Sequence, residues 1–149
     1  MGITFPNNTV EIIDSIRSVV GRPIDFIVVV SSYGCYNCSL DPITDKSDNS
    51  FCPICSGEYW IHDYDTVTVS AHVNWGPSEL ESWQGGGILY DGQASAQIKY
   101  TNENVVLADS SIYVVVDGKR MEVKKKILRG VQPLNRIILT LEESEKEDK

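Results

Sequence analysis

Four cysteines fall within 21 residues as two C-x-x-C pairs, Cys35-Tyr-Asn-Cys38 and Cys52-Pro-Ile-Cys55, with thirteen residues between the pairs. Each C-x-x-C turn presents two sulfurs to one ion, and two such turns supply the four corners of the tetrahedron that Zn²⁺ accepts. The intervening Ser39–Phe51 is polar and has little apolar surface of its own to fold around, so a metal would order it. Other readings share the thiols. Two disulfides need an oxidising compartment. A dithiol redox motif uses one C-x-x-C beside a βαβ unit. A four-thiolate iron site has the same ligands, but its pairs are usually further apart and glycine-rich. The spacing favours a structural Zn²⁺ held by Cys35, Cys38, Cys52 and Cys55, because four thiolates leave no open coordination position for catalysis.

Other chemistry is sparse. The two histidines, His62 and His72, sit in an aromatic stretch and on the polar face of a strand pattern, and each reads more simply as structural or solvated than as a ligand or a base. No G-x-S-x-G, P-loop, dinucleotide glycine fingerprint or H-E-x-x-H occurs. The triple glycine Gly85-Gly86-Gly87 precedes Ile88-Leu89-Tyr90 and no helix start, so it lacks the setting that cradles phosphate. With 21 acidic residues, pairs such as Glu79/Glu81 and Asp63/Asp65 carry almost no information about acid–base catalysis. No catalytic constellation is expected, and the chain reads as a non-enzyme.

The elements that must position the cysteines follow from hydrophobic periodicity. Thr9–Val20 reads as an amphipathic helix, with Val10, Ile13, Ile16 or Arg17, and Val20 at three- and four-residue spacing. Asn8 or Thr9 suits its N-cap, and Gly21 with Arg22-Pro23 ends it. Ile24–Tyr33, rich in β-branched residues, reads as a strand covered on both faces that leads into the first cysteine pair. Glu58–His62 leaves the second pair, so the cysteine stretch reads as a metal-pinned hairpin.

Period-two alternation then dominates. Val67, Val69, Ala71, Val73 and Trp75 share one face of Thr66–Trp75, and Ala94, Ala96, Ile98 and Tyr100 share one face of Gln93–Tyr100. Asp117-Gly118 marks a two-residue hairpin turn joining Ile112–Val116 to Lys119–Ile127, with Val114 opposite Met121 and Ile112 opposite Val123. A last strand, Leu134–Glu142, buries Ile137, Leu139 and Leu141. The expected fold is mainly β: a small antiparallel β-barrel or sandwich with an N-terminal helix and the cysteine hairpin as an insertion at 34–58. The single domain would span 1–142, and 143–149 would be a mobile acidic tail.

The 149 residues carry 13 basic and 21 acidic side chains, a formal charge of −8. That balance argues against a protein whose main task is to grip phosphate backbones. No apolar run is long enough to span a bilayer, no membrane association is expected, and no signal peptide is expected at the N-terminus. Two surfaces are candidate partner contacts, the first against collapse onto its own barrel and the second against a plain solvated edge, which is the simpler reading of its charges. The Gly76–Gly92 segment joins apolar Leu80 and Trp83 to Gly85, Gly86 and Gly87. The basic cluster around the late hairpin places Arg120, Lys124 and Lys126 on one face of a regular strand and Lys119 and Lys125 on the other.

The run Ile112-Tyr-Val-Val-Val-Asp-Gly-Lys-Arg-Met-Glu-Val-Lys-Lys, with Arg129-Gly-Val-Gln-Pro-Leu-Asn-Arg136, a closing apolar strand and the earlier Gly87-Ile-Leu-Tyr-Asp-Gly-Gln-Ala-Ser-Ala-Gln-Ile, resembles the small head-closure or head–tail connector proteins of tailed bacteriophages. The resemblance covers roughly Thr66–Glu142. It implies an antiparallel barrel that assembles as a ring between portal and tail in the virion, after synthesis in the host cytoplasm. Such a ring helps retain packaged DNA without sequence-specific binding and offers the surface to which the tail attaches. Its partners would be further copies of the chain, the portal or adaptor, and tail proteins. The runner-up reading is a cellular zinc-ribbon module that recognises a protein or a nucleic acid.

Overall fold

The computed structural model describes residues 8–76, 82–84, 87–89, 92–130 and 134–144. The chain runs α1 (Thr9–Val20), β1 (Arg22–Gly34), β2 (Leu40–Asp41), β3 (Lys46–Ser47), β4 (Trp60–Trp75), β5 (Ser82–Gln84), β6 (Gly87–Leu89), β7 (Gln93–Lys99), α2 (Asn102–Ser110), β8 (Ser111–Val116), β9 (Lys119–Arg129) and β10 (Arg136–Glu143). It divides into two compact units. One comprises residues 1–27 with 66–149, and the other Val28–Asp65, which contains the 34–58 stretch.

In the first unit six strands follow the order β1-β4-β7-β10-β9-β8 and close into a barrel, leaving no free edge in it. The barrel is mainly antiparallel β with the N-terminal helix the periodicity predicts. Ile24, Phe26, Ala71, Val73, Ala94, Ala96, Ile98, Val114, Val116, Met121, Ile137, Leu139 and Leu141 fill it. Antiparallel ladders hold the register: Ala71 faces Ile98, which faces Ile137, so one row of apolar side chains crosses three strands. The small alanines at positions 94 and 96 sit among larger neighbours, Val73, Leu139 and Leu141, as a close-packed interior requires.

Asp117 and Gly118, both at positive φ (51° and 79°), form the two-residue turn between β8 and β9, and Val114 pairs with Met121. Ile112, expected on the buried face opposite Val123, is instead 44% exposed. The Val28–Val30 stretch in the middle of β1 also departs from expectation. Ile24 and Phe26 are buried, but Val29 and Val30 are exposed, so the strand is not covered on both faces.

The sequence reading contains no counterpart of α2. It starts at Thr101, whose side chain accepts the Asn104 N–H, and packs Val105, Leu107 and Ala108 against the barrel core. Of the partner-contact segment, Trp83 pairs in register with Ile88 and Gln84 with Gly87. Leu80, Gly85, Gly86 and the 145–149 part of the tail lie outside the described residues. No described helix is long and apolar enough to cross a membrane.

Candidate metal centre

The second unit is built around sulfur. Its buried cluster consists of Cys35, Cys52 and Cys55, with Cys38, Tyr59 and Ile61 packed against it. So small a core cannot hold a polar segment of this length by apolar burial alone. Hydrogen bonds set the scaffold. Cys35 N–H donates to the Tyr59 carbonyl (2.8 Å), which ties the end of β1 to the residue just before β4. The β2–β3 ladder pairs Leu40 with Ser47, and Asp48 N–H reaches the Ser39 carbonyl (3.0 Å). Asp41 caps the turn by accepting from Ile43 N–H (2.9 Å) and Thr44 Oγ1 (2.9 Å), which holds its carboxyl below the usual range. Along the strands, Ser32 Oγ bonds His62 Nδ1 (2.7 Å) and Ser31 Oγ donates to Asp63 (2.7 Å).

This scaffold brings all four predicted ligands together. The sulfurs of Cys35, Cys38, Cys52 and Cys55 lie within 4.8 Å of one another. Cys35 Sγ is 3.9 Å from Cys52 Sγ, and Cys38 Sγ is 3.8 Å from Cys55 Sγ. A tetrahedral Zn²⁺ with Zn–S bonds of about 2.3 Å needs sulfurs about 3.8 Å apart along each edge. The donor set therefore fits a closed four-thiolate site for one metal ion. His62 is spent on Ser32, and His72 lies on β4 in the other unit, so neither joins the cluster.

The two halves differ electrostatically. At Cys52, the Cys55 and Ile54 N–H groups donate to the sulfur, followed by bonds from the other thiols, and its pKa falls to about 6. Cys55 is desolvated, which raises it, but the Tyr59 and Gly57 N–H groups and the Ser47 hydroxyl outweigh burial, and its net shift is downward. Cys35 accepts from the Asn37 N–H, which lowers it, as does Cys38, yet burial and the Cys55 and Cys52 sulfurs carry it upward. Cys38 gains from the Ser47 hydroxyl, yet desolvation and the three other thiols push it up to about 12. The C-P-I-C turn is thus the half preorganised for negative charge, through backbone N–H groups aimed at sulfur.

Ser47 is the supporting residue that sequence reasoning missed. It is buried, its Oγ accepts from Asn49 N–H (3.1 Å), and it bonds Cys38 and Cys55. Its place depends on the two-residue β2–β3 ladder, which has no periodicity to read.

The basic cluster is arranged otherwise than strict alternation predicts. A bulge between the Thr140–Lys125 and Leu141–Val123 pairs leaves Lys124 as an extra residue. Lys126 therefore pairs with buried Leu139 and shares its face, and Arg120, Lys124 and Lys126 do not line up together. Each is also engaged: Arg120 stacks over Tyr113 at 3.9 Å, Lys124 bonds Glu122 (2.9 Å), and Lys126 bonds Asp109.

Compared with protein-family models, with curated proteins and with solved structures, the chain has no match.

Proposed function

We propose that the chain is a structural protein of the phage neck, assembling between portal and tail, and that its four cysteines hold a structural Zn²⁺. The fold that carries the reading is a closed six-strand barrel with a late Asp117-Gly118 hairpin, an N-terminal helix and a separate unit organised by sulfur. Such a plan invests its order in surfaces. The two most exposed large apolar side chains among the described residues, Phe51 at 94% exposure and Ile43 at 92%, belong to the cysteine unit.

Zinc, when bound, supplies four metal–sulfur bonds that replace a hydrophobic core. Cys35, Cys38, Cys52 and Cys55 would hold it, with Ser47 and the N–H groups of Asn37, Ile54, Cys55, Gly57 and Tyr59 compensating the thiolate charge. Iron fits the same ligands, and elemental analysis separates them: a colourless protein with about one zinc per chain supports the reading, and a coloured iron-loaded one overturns it. The neck assignment is tested by mass spectrometry of purified virions from the phage that encodes the chain. Detection at a stoichiometry comparable to the portal supports it, and absence from virions ends it.

A further inference from the structure

Helix α1 and the barrel belong to one compact unit. Strand alternation turns Ile137 and Leu139 of β10 inward, so Arg136 faces out. By the same alternation His72 of β4 and Gln97 of β7, which pair in register, face out between buried Ala71, Val73, Ala96 and Ile98. Asp14 of α1 bonds Lys99 of β7 (2.8 Å), which holds the helix over this face. Between helix and sheet runs a groove of about 190 Å³, with Ile13, Ile16 and Val20 on the helix side and His72, Gln97 and Arg136 on the sheet side.

Within the groove the charge of Arg136 is unanswered. Its guanidinium reaches a neutral acceptor, Gln97 Oε1, at 3.5 Å, beyond the usual range of a hydrogen bond. Its Nε is buried and has no hydrogen-bond partner among the described residues. Asp14 does not serve it, because that carboxylate is shared between Lys99 (2.8 Å) and Arg17 (2.7 Å). A buried donor left without an acceptor costs more than a typical hydrogen bond returns. The planar fork of an arginine is also shaped to take a carboxylate through two parallel N–H···O bonds. The chain carries −8 overall, so no long-range field gathers anions here, and recognition must come from contact.

We propose that this groove is a binding site for a small monocarboxylate with a compact apolar body, its carboxylate on Arg136 and its body against Ile13, Ile16 and Val20. Size sets the body. A cavity of about 150 Å³ holds benzene, so this one admits a ring or a branched chain of about six carbons. The sheet favours a small molecule over a peptide: β7 is paired with both β4 and β10, and β10 with both β7 and β9, so no strand edge there is open to a peptide main chain. Charge sets the head group at one carboxylate, since Arg17 already has Asp14 and only Arg136 remains to be served. The groove shares no residue with the four cysteines, so the site stands or falls apart from the zinc and neck readings.

Titration of the isotope-labelled full chain with phenylacetate tests the proposal, read by amide chemical shifts. Amides of α1 and of the strands around Arg136 should shift and saturate with a Kd of about 1 mM or tighter, the range open to a ligand of about ten heavy atoms. Phenylacetamide, the neutral isostere, and acetate, the same charge without the body, should each bind at least about tenfold more weakly. Arg136→Gln should bring phenylacetate down to the level of phenylacetamide. Ile16→Ser, at a helix position 56% exposed and outside the barrel core, should weaken acid and amide alike by about fivefold or more. Should Arg136→Gln fail to fold, the three ligands and Ile16→Ser still decide. No saturable shift up to about 20 mM, amide or acetate binding as tightly as the acid, or shifts centred away from α1 and Arg136 overturns the proposal.

Discussion

Cys35 and Cys52 are seventeen residues apart in the chain, yet their sulfurs are 3.9 Å apart at the centre of a unit with almost no other core. The barrel core shares no residue with this cluster. Removing one thiolate should therefore act locally. In Cys52→Ser, metal content should fall from about one per chain to near zero. Backbone amide dispersion should collapse for residues of the Val28–Asp65 unit only. The barrel's unfolding free energy should change by less than about 0.5 kcal/mol, as expected of distant independent sites. Nuclear magnetic resonance of the labelled chain reads both, and global loss of dispersion would show that the barrel depends on the metal.

The uneven thiol acidities predict a pH dependence. At pH 7 Cys52, lowered to about 6, is already a thiolate, whereas Cys38, pushed up to about 12, and the raised Cys35 keep their protons. Metal binding requires four thiolates, so uptake at pH 7 must release at least the protons of Cys35 and Cys38. Affinity should then rise by about 100-fold per pH unit, and calorimetry in buffers of different ionisation enthalpy counts the protons. For the metal-free fold the signs oppose. The stabilisation from lowered Cys52 is complete above its unfolded value of 9.0 and is lost as pH falls through about 6. That from raised Cys38 is complete below 9.0 and is lost as pH rises through about 12. Release of no protons would show that burial and the neighbouring thiols do not keep Cys35 and Cys38 protonated.

Much of this was legible in the sequence where one physical signal dominates. The cysteine spacing picked out the four sulfurs that the fold brings together, the helical repeat of Thr9–Val20 matched α1 end to end, and Asp117-Gly118 set the Val114–Met121 pair. Three features were not legible, each because a tertiary term overrides the local pattern. α2 shows almost no segregation of apolar residues onto one face, and its stability comes from Val105, Leu107 and Ala108 meeting a core the local sequence cannot announce. The bulge at Lys124 breaks period-two alternation inside one strand and moves Lys126 onto the face of Leu139. The apolar stripe of α1 pointed to burial, yet only Arg17 of that helix is buried. Periodicity reports that a face is apolar and not what covers it.

Asp117 does more than turn the chain. Its Oδ2 accepts from Arg22 (2.6 Å) and from Trp75 Nε1 (3.0 Å), so the β8–β9 turn is tied to β1 and β4. Its backbone also sits at φ 51°, which Asp tolerates better than Ala does. Asp117→Ala should cost about 1–3 kcal/mol, combining backbone strain with one exposed ion pair and one hydrogen bond from the Trp75 indole N–H to the charged carboxylate. Urea denaturation followed by tryptophan emission measures it. Asp117→Gly relieves the strain and loses only the bonds, so it should cost less than Asp117→Ala; equal costs would remove the backbone from the account.

Gly21, between α1 and β1, separates two explanations of a glycine. Its φ of −71° and ψ of 150° suit any residue, so by backbone preference alone Gly21→Ala should stabilise by roughly 0.4–1 kcal/mol through the unfolded chain. A Cβ there, however, would run into the Arg17 carbonyl oxygen and would lie 2.6 Å from Ser70 Oγ. The Gly21 N–H already donates to that carbonyl (2.7 Å), so the helix end cannot move away without giving up its closing hydrogen bond. The clash should win, with a net destabilisation of about 1–3 kcal/mol, the range of overpacked sites. Ser70→Gly, which clears the softer obstacle, should recover only part of the loss, because the carbonyl remains. Thermal unfolding of Gly21→Ala, Ser70→Gly and the double variant measures the coupling. A stabilised Gly21→Ala would show that α1 is free to shift against β4.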